Sequence, residues 1–405
     1  MICVETCNYF YEYALCLDIG GANTKYSLLF LDFDKYLNEL KSIMPNKNLN
    51  NEAIKYKNIL RNTIQIISEI KYFPFWKHNN KEFVDLLLQI KQQVIEFLRN
   101  KNENKNSDYY VLATITAELS DAFQTKYEGI ITILNDLECV FDKNKIYLIT
   151  VNGDFISIDS AKDRYLSVAA SNWVATSLVL GEDEDLSILL DLGSTTLDLI
   201  PIRHGIPVPI GKNDLDRLLN NELFYTGILR PPISSVVNQI PFRNKLCPIS
   251  FEFFSNMADV YLILDKISEE QYICETSDGR PKSKEYCYSR LSRIVCGDLN
   301  LVSQEELNQM AKYIFTFHKN LIKKVIKQSI KIYKKRFKTS IKKITFIITG
   351  LGAQILLREI LMELGVNESQ ISFKELSNKD LVISTSICLG IVFFKDIIKK
   401  YIINK

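Results

Sequence analysis

The chain has 405 residues, 47% of them hydrophobic, with 50 basic side chains against 48 acidic ones and a formal charge of +2. That length can hold two domains with cores of their own, and the near-cancelling charge argues against a protein governed by nucleic-acid electrostatics. No apolar run approaches a membrane span, the opening stretch MICVETCNYF lacks the segments of a signal peptide, and nine cysteines without a CxxC pair read as reduced thiols of a cytoplasmic protein.

In chain order, ALCLDI (14–19) and TKYSLLFL (24–31) predict two strands around a glycine turn. Residues 32–80 are rich in Lys and Asn, with a helix expected near 51–70 and the pattern broken at Pro74. The segment 32–70 has no functional reading and is taken as a peripheral insert. Apolar residues at 83, 84, 87, 88, 90, 94, 95 and 98 predict an amphipathic helix over 81–100. KNENKNSD (101–108) is a loop by composition. YYVLATIT (109–116) reads as a strand that AELSDAF turns into a helix, IYLITV (146–151) as another strand, and 161–180 as one buried apolar helix. The acidic GEDEDLS (181–187) is the expected boundary between a first domain, 1–183, and a second, 184–381. The C-terminal segment 382–405 is expected to be a helix that returns to the first domain.

Next comes SILLDLGSTTLDLIPI (187–202). Asp191-Leu-Gly-Ser-Thr-Thr-Leu-Asp198 aligns with Asp18-Ile-Gly-Gly-Ala-Asn-Thr-Lys25, which supports an internal duplication with one hairpin per domain. Residues 212–300 are irregular, and 304–338 carry a long amphipathic stripe with a basic face. ITFIITG (344–350) then leads through Gly350-Leu351-Gly352 into a helix.

The chemistry lies in the turns. Glycine permits positive φ and lets backbone N–H groups approach a ligand, and a row of such groups makes an anion nest. A strand-end carboxylate beside a phosphate cradle calls for a cation, and Mg²⁺ suits carboxylate and phosphate oxygens. The expected Mg²⁺ ligands are Asp18 and Asp191, with Asp198 a further candidate. The expected contacts to a diphosphate or triphosphate are Gly20, Gly21, Asn23, Gly193, Ser194, Thr195 and Thr196, with Gly350 and Gly352 in the third turn. Lys25 could reach a phosphate or lie solvated on its strand. A tight hairpin with a capping Asp would give either motif alone; two matched copies favour the ligand reading.

The pattern resembles the sugar kinase, heat-shock protein 70 and actin superfamily. That resemblance implies an α/β fold of two RNase H-like domains with a cleft between them. DIGGANTK (18–25), TAELSDAF (116–123), ASNW (170–173), DLGSTTLDLIPI (191–202), ELFYTGILRPP (222–232), FEFFSNMADVYLIL (251–264) and SDGRPKSKE (277–285) go further. In this order they resemble the hydantoinase/oxoprolinase-related synthase family of methanofuran biosynthesis, found in methane-producing archaea and methylotrophic bacteria. Ala117 and Asn221 stand where that pattern has Gly, and Ser120 where Cys is common.

The resemblance implies a transferase. It would join (5-(aminomethyl)furan-3-yl)methyl diphosphate to γ-glutamyltyramine through an ether bond and release diphosphate. Glu118 and Asp121 are then candidates for the phenol's general base, or else helix caps. Asn172, Tyr225 and Arg230 are candidate substrate contacts, and an Arg of the middle segment (Arg230, Arg280, Arg290) could pair with the glutamyl carboxylate. The partners implied are small molecules, with no nucleic acid or membrane; whether the chain forms a homo-oligomer is open. Two other readings remain: an ATP-dependent kinase or amidohydrolase on the same fold, and a non-enzymatic actin-like nucleotide binder.

Overall fold

The computed structural model describes residues 12–43, 55, 59, 62–101, 108–373 and 384–403. Two sheets dominate. The first has strands β1 (Tyr13–Gly20), β2 (Asn23–Leu31), β3 (Thr63–Tyr72), β4 (Tyr109–Thr116), β5 (Ile146–Ile149) and β6 (Phe155–Ser157), in the order β3-β2-β1-β4-β5-β6. β2 and β3 run antiparallel to their neighbours, whereas β4 and β5 run parallel to β1. The second sheet repeats the plan with β7 (Leu186–Leu192), β8 (Leu197–Arg203), β9 (Ile206–Pro207), β10 (Leu223–Phe224), β13 (Thr345–Thr349) and β14 (Ile371–Phe373). Its order is β10-β8-β7-β13-β14, with β9 on β8. A small hairpin, β11 (Gln239–Phe242) with β12 (Lys245–Pro248), stands apart. This duplicated strand plan is that of the actin-like ATPase fold.

Each sheet has its own apolar core, and a third core lies between them. The helices Asn172–Gly181 and Ser384–Ile403 fill that space. Both are apolar nearly all round, as burial between two sheets demands. Phe393 packs against Tyr110, Tyr147 and Phe155 with ring centroids 4.8, 5.3 and 4.9 Å apart. Glycines allow the close approach: a Cβ at Gly181 would stand 2.6 Å from Ile202 Cδ1, and one at Gly390 2.4 Å from Leu29 Cδ1.

Three expectations are corrected. Residues 63–72 are strand β3, paired antiparallel with β2 from Thr63 opposite Leu31 to Tyr72 opposite Asn23; the β-branched run TIQIISEIKY suits a pleated edge. The remainder of the expected helix near 51–70 lies almost wholly outside the described residues. Nor is the segment 32–70 peripheral, because Phe33, Tyr36 and Ile59 are buried in the core between the sheets. Residues 161–180 are not one helix. After helix Ile158–Asp163 the chain bridges to β4 at Ala169 and Ile115, Ala170 takes φ +49°, and a new helix starts at Asn172. The Ala170 N–H donates to Ile115 O at 2.9 Å, so pairing with the sheet replaces helix continuation there.

The other long elements agree with the periodicities: helices Asn80–Lys101, Lys126–Val140 and Gln304–Arg336, and the passage from β13 through Gly350 into Ala353–Glu363. No helix among the described residues is long and apolar enough to cross a membrane.

Candidate active site

The two hairpins are equivalent in register. Asp18 lies opposite Lys25 across β1 and β2, and Asp191 lies opposite Asp198 across β7 and β8. Neither turn uses a left-handed backbone: Gly20, Gly21 and Gly193 are absent from the positive-φ residues, and only Gly350, in the third turn, has φ +83°. Glycine acts here through space. A Cβ at Gly20 would meet Asn23 O at 2.9 Å. At Gly21 and Gly193 a Cβ would make only ordinary contact, 3.7 Å from Ser120 Cβ and 3.8 Å from Thr196 O, so the surrounding chain does not demand glycine there. At Gly350 a Cβ would stand 2.4 Å from Asp191 Oδ1, which fixes the third turn directly against the second. Gly352 packs as tightly on Leu192.

Each turn is held by a strap from elsewhere in the chain. Phe73 and Phe75 donate to the carbonyls of Ala22 and Gly21, both at 3.0 Å. Gly227 donates to Thr195 O at 2.9 Å, Ile228 to Gly193 O at 3.0 Å, and Leu229 and Arg230 to Ser194 O at 3.0 Å. The carbonyls are thus consumed, while the N–H groups of Gly21, Ala22, Ser194 and Thr195 donate to no protein acceptor among the described residues. Rows of unclaimed amides suit an anion.

The carboxylates differ in state. Asp18 is 3% exposed and accepts from Lys25 Nζ at 3.1 Å. Lys25 therefore serves its own hairpin rather than lying solvated. Asp198 accepts from Arg217 Nη2 at 2.7 Å and from Thr196 Oγ1 at 3.1 Å. Asp191 makes no ion pair among the described residues. Burial pushes its carboxyl up to about 7, with Asp198 and Asp18 adding to the rise and Lys25 opposing it. A group in that state lacks a cation.

Beyond the hairpins, Glu118 is 1% exposed, with Oε1 3.4 Å from Lys126 Nζ and Oε2 without a hydrogen bond. Burial raises its pKa, Lys126 opposes this, and the Asp214 carboxylate adds to it. Tyr225 is 58% exposed, and its phenol is pushed up to about 12 by desolvation and by Asp214, Asp198 and Glu118. Groups from the two halves of the chain thus lie within electrostatic reach of one another. Arg217 is almost fully buried: its guanidinium lies 4.8 Å from the Trp173 ring centroid and donates to Glu222 O at 3.2 Å.

Some predicted residues stand elsewhere. Asp121 is exposed and has no side-chain hydrogen bond or ion pair among the described residues. Asn172 begins its helix half-buried, also without a side-chain hydrogen bond among the described residues. Arg230 sits 5.5 Å from the Trp76 ring centroid, where the two straps meet. Arg290 is not free to bind substrate: it is fully buried and donates to Asp259 at 2.7 Å and to Asp278 at 3.3 Å. Helix Lys126–Val140 is capped by Thr125, not by Glu118 or Asp121. Sequence reasoning missed Lys126, Asp214 and Arg217. Lys126 looks like any helix-start lysine, and Asp214 and Arg217 share a six-residue helix without a motif. Their i,i+3 spacing was the one available signal.

Residues 110–378 match the family model described as Hydantoinase/oxoprolinase. A protein of Methanocaldococcus jannaschii named (4-{4-[2-(gamma-L-glutamylamino)ethyl]phenoxymethyl}furan-2-yl)methanamine synthase is 41% identical over 372 residues, covering 92% of this chain and 94% of that one. A protein of the same name from Methanococcus vannielii is 40% identical over 200 residues, 49% of this chain and 86% of that one. Solved structures resemble the chain distantly. One is a nucleotide-free acetone carboxylase, with a TM-score of 0.41 and 10% identity over 88% of this chain and 68% of that one. Another is the ADPNP-bound activator of a 2-hydroxyisocaproyl-CoA dehydratase from Clostridium difficile, with a TM-score of 0.38 and 12% identity over 96% of each chain. On the family model and the near full-length relative, the chain belongs to the hydantoinase/oxoprolinase family, among its furan-methanamine synthases.

Proposed function

We propose that the chain is a transferase that forms the aryl ether of methanofuran biosynthesis. It joins (5-(aminomethyl)furan-3-yl)methyl diphosphate to γ-glutamyltyramine and releases diphosphate. The relatives' names supply the product class; the observation that carries the reading is the pair of register-matched turns with unclaimed N–H groups beside strand-end carboxylates. As the methylene C–O bond breaks, its electron pair leaves on the diphosphate. The amides of Gly21, Ala22, Ser194 and Thr195 are preorganised for that charge, the arrangement that most lowers such barriers. Asn23, Gly193, Thr196 and the Gly350–Gly352 turn shape the same cradle.

A divalent cation fits the donor set. Among the described residues no group of three or more His, Cys, Asp or Glu side chains could cage a metal by itself. Mg²⁺ needs no such cage, because it is commonly held by one or two carboxylates plus phosphate oxygens and water. Asp191, short of a counter-charge, would hold it directly, with Asp18 and Asp198 acting through its waters. It would supply charge neutralisation on the departing phosphate oxygens. Tyr225 would contact the acceptor, and Arg230, where the two straps meet, is the cation suited to its glutamyl carboxylate.

The test is mass spectrometry of purified protein with Mg²⁺, the furan diphosphate and γ-glutamyltyramine, with no nucleotide. The expected result is the ether with equimolar diphosphate. No ether from folded protein, or ether only with ATP hydrolysis, would overturn the reading in favour of an ATP-dependent enzyme.

A further inference from the structure

Glu118 follows the C-terminal end of β4, the strand that runs parallel to β1, so its loop opens beside the first turn. The proximity is measurable: Ser120 Cβ lies 3.7 Å from where a Cβ on Gly21 would stand. On its other side the loop touches helix Lys126–Val140 backbone to backbone. A Cβ at Gly129 would lie 2.6 Å from Glu118 O and 2.8 Å from Glu118 Cα. That contact hangs Lys126, at the start of the helix, over the carboxylate. Asp214 and Tyr225, from the second half of the chain, lie within electrostatic reach of the same carboxylate.

The result is a carboxylate with one oxygen held by an ammonium and the other, Oε2, buried and unpartnered. A carboxylate oxygen without a donor is costly to bury, and a group that brings a proton to it removes the cost. An acceptor phenol, with an ordinary pKa near ~10, brings such a proton and needs a base to become a nucleophile.

We propose that Glu118 is the proton acceptor for the phenol and that Lys126 is the cation that positions its carboxylate. This rests on the ether-forming reading. The phenol proton passes to Glu118 Oε2, the phenol oxygen forms the new bond to the furan methylene, and diphosphate leaves with the electrons of the broken bond. Asp121, exposed and unpaired, takes no part, and Asp214 is engaged by Arg217 at 4.0 Å.

The experiment compares γ-glutamyltyramine with an analogue whose ring is fluorinated so that the phenol is already ionised at the assay pH. With the native phenol, Glu118→Gln is expected to lower kcat/KM by ~10²–10⁴-fold, the range of a lost general base. With the fluorinated phenol the loss relative to wild type is expected to shrink below ~10-fold, since no proton need be removed. Equal losses with both phenols, or none with either, overturn the proposal. Lys126→Met gives a second reading if Glu118→Gln fails to fold. Removing the ammonium leaves burial and Asp214 to raise the Glu118 pKa, so the acid limb of kcat should move to higher pH; an unmoved limb overturns the proposal. If wild-type protein makes no ether, the functional reading has failed, which is a separate outcome.

Discussion

Asp18 and Asp191 occupy the same place in the duplicated hairpin, yet their neighbours give them different tasks. Opposite Asp18 stands a lysine; opposite Asp191 stands another carboxylate. The first pair is internally neutral, while the second draws a proton or a cation. Because the Asp191 carboxyl is raised in the fold, its contribution to stability is fully present below the unfolded value of 3.8 and is lost as pH rises through about 7. In metal-free protein above pH 7, Asp191→Asn should therefore leave the melting temperature unchanged or higher. The same variant should lower ether formation by at least ~10²-fold, on the scale of losing a main electrostatic contact to the leaving group. Paired calorimetry and product assays check this. A variant that is less stable and fully active would contradict both halves.

Among the elements, the strap 226–230 carries the second turn, and the long helix Gln304–Arg336 carries the strap. His318, buried on that helix, bonds Thr226 Oγ1 through Nε2 at 2.9 Å and Tyr261 OH through Nδ1 at 3.0 Å. Gly227, the next residue, lies so close to the turn that a Cβ would stand 2.4 Å from Thr195 N. Burial lowers the His318 pKa from 6.5 to about 4. A depressed folded value means the unfolded chain takes the proton first. Stability from this group is thus present above pH 6.5 and is lost as pH falls toward 4. The gap between the two values corresponds to on the order of 3 kcal/mol. Denaturant titrations from pH 7 to 4 should show that loss, and His318→Gln should flatten the slope in this window. An unchanged slope in the variant would place the pH dependence elsewhere.

For the whole molecule, the join between the sheets and the contacts between the straps are built differently. Between the sheets, two helices lie in a continuous apolar core. Where the straps meet, the contacts lie at the surface: Arg230 over Trp76, with Lys77 beside them paired to Glu275 of the middle segment at 2.6 Å. Surface ion pairs are worth only ~0–1 kcal/mol each, so these contacts are expected to open far more readily than the core between the sheets. Replacing Trp76 and Lys77 together by Ala should shift global stability by ~1 kcal/mol or less. It should speed hydrogen exchange in 72–77 and 227–230 and raise KM for both substrates. Unchanged exchange in those segments would show that the rim contacts hold nothing.

The amino-acid sequence by itself determined the two hairpins, their Asp-x-Gly turns, the long helices and the duplication, because these rest on local periodicity and on spacings a few residues long. It could not reveal β3, whose Ile-rich run becomes a strand only by pairing with β2. Nor could it reveal the break before Asn172, which a hydrogen bond to β4 decides. The site divides in the same way. Asp18, Asp191 and the turn glycines were legible because each copy repeats the other. Glu118 was legible only through the family resemblance, and its separation from Asp121 came from burial. Lys126, Asp214 and Arg217 acquire meaning from long-range packing, where Gly129 draws a helix onto a loop and Trp173 gives a guanidinium its seat. Charge and motif travel along the chain, but desolvation and ion pairing depend on what the fold sets beside each group, so only the tertiary structure decided which carboxylates were paired and which lacked a partner.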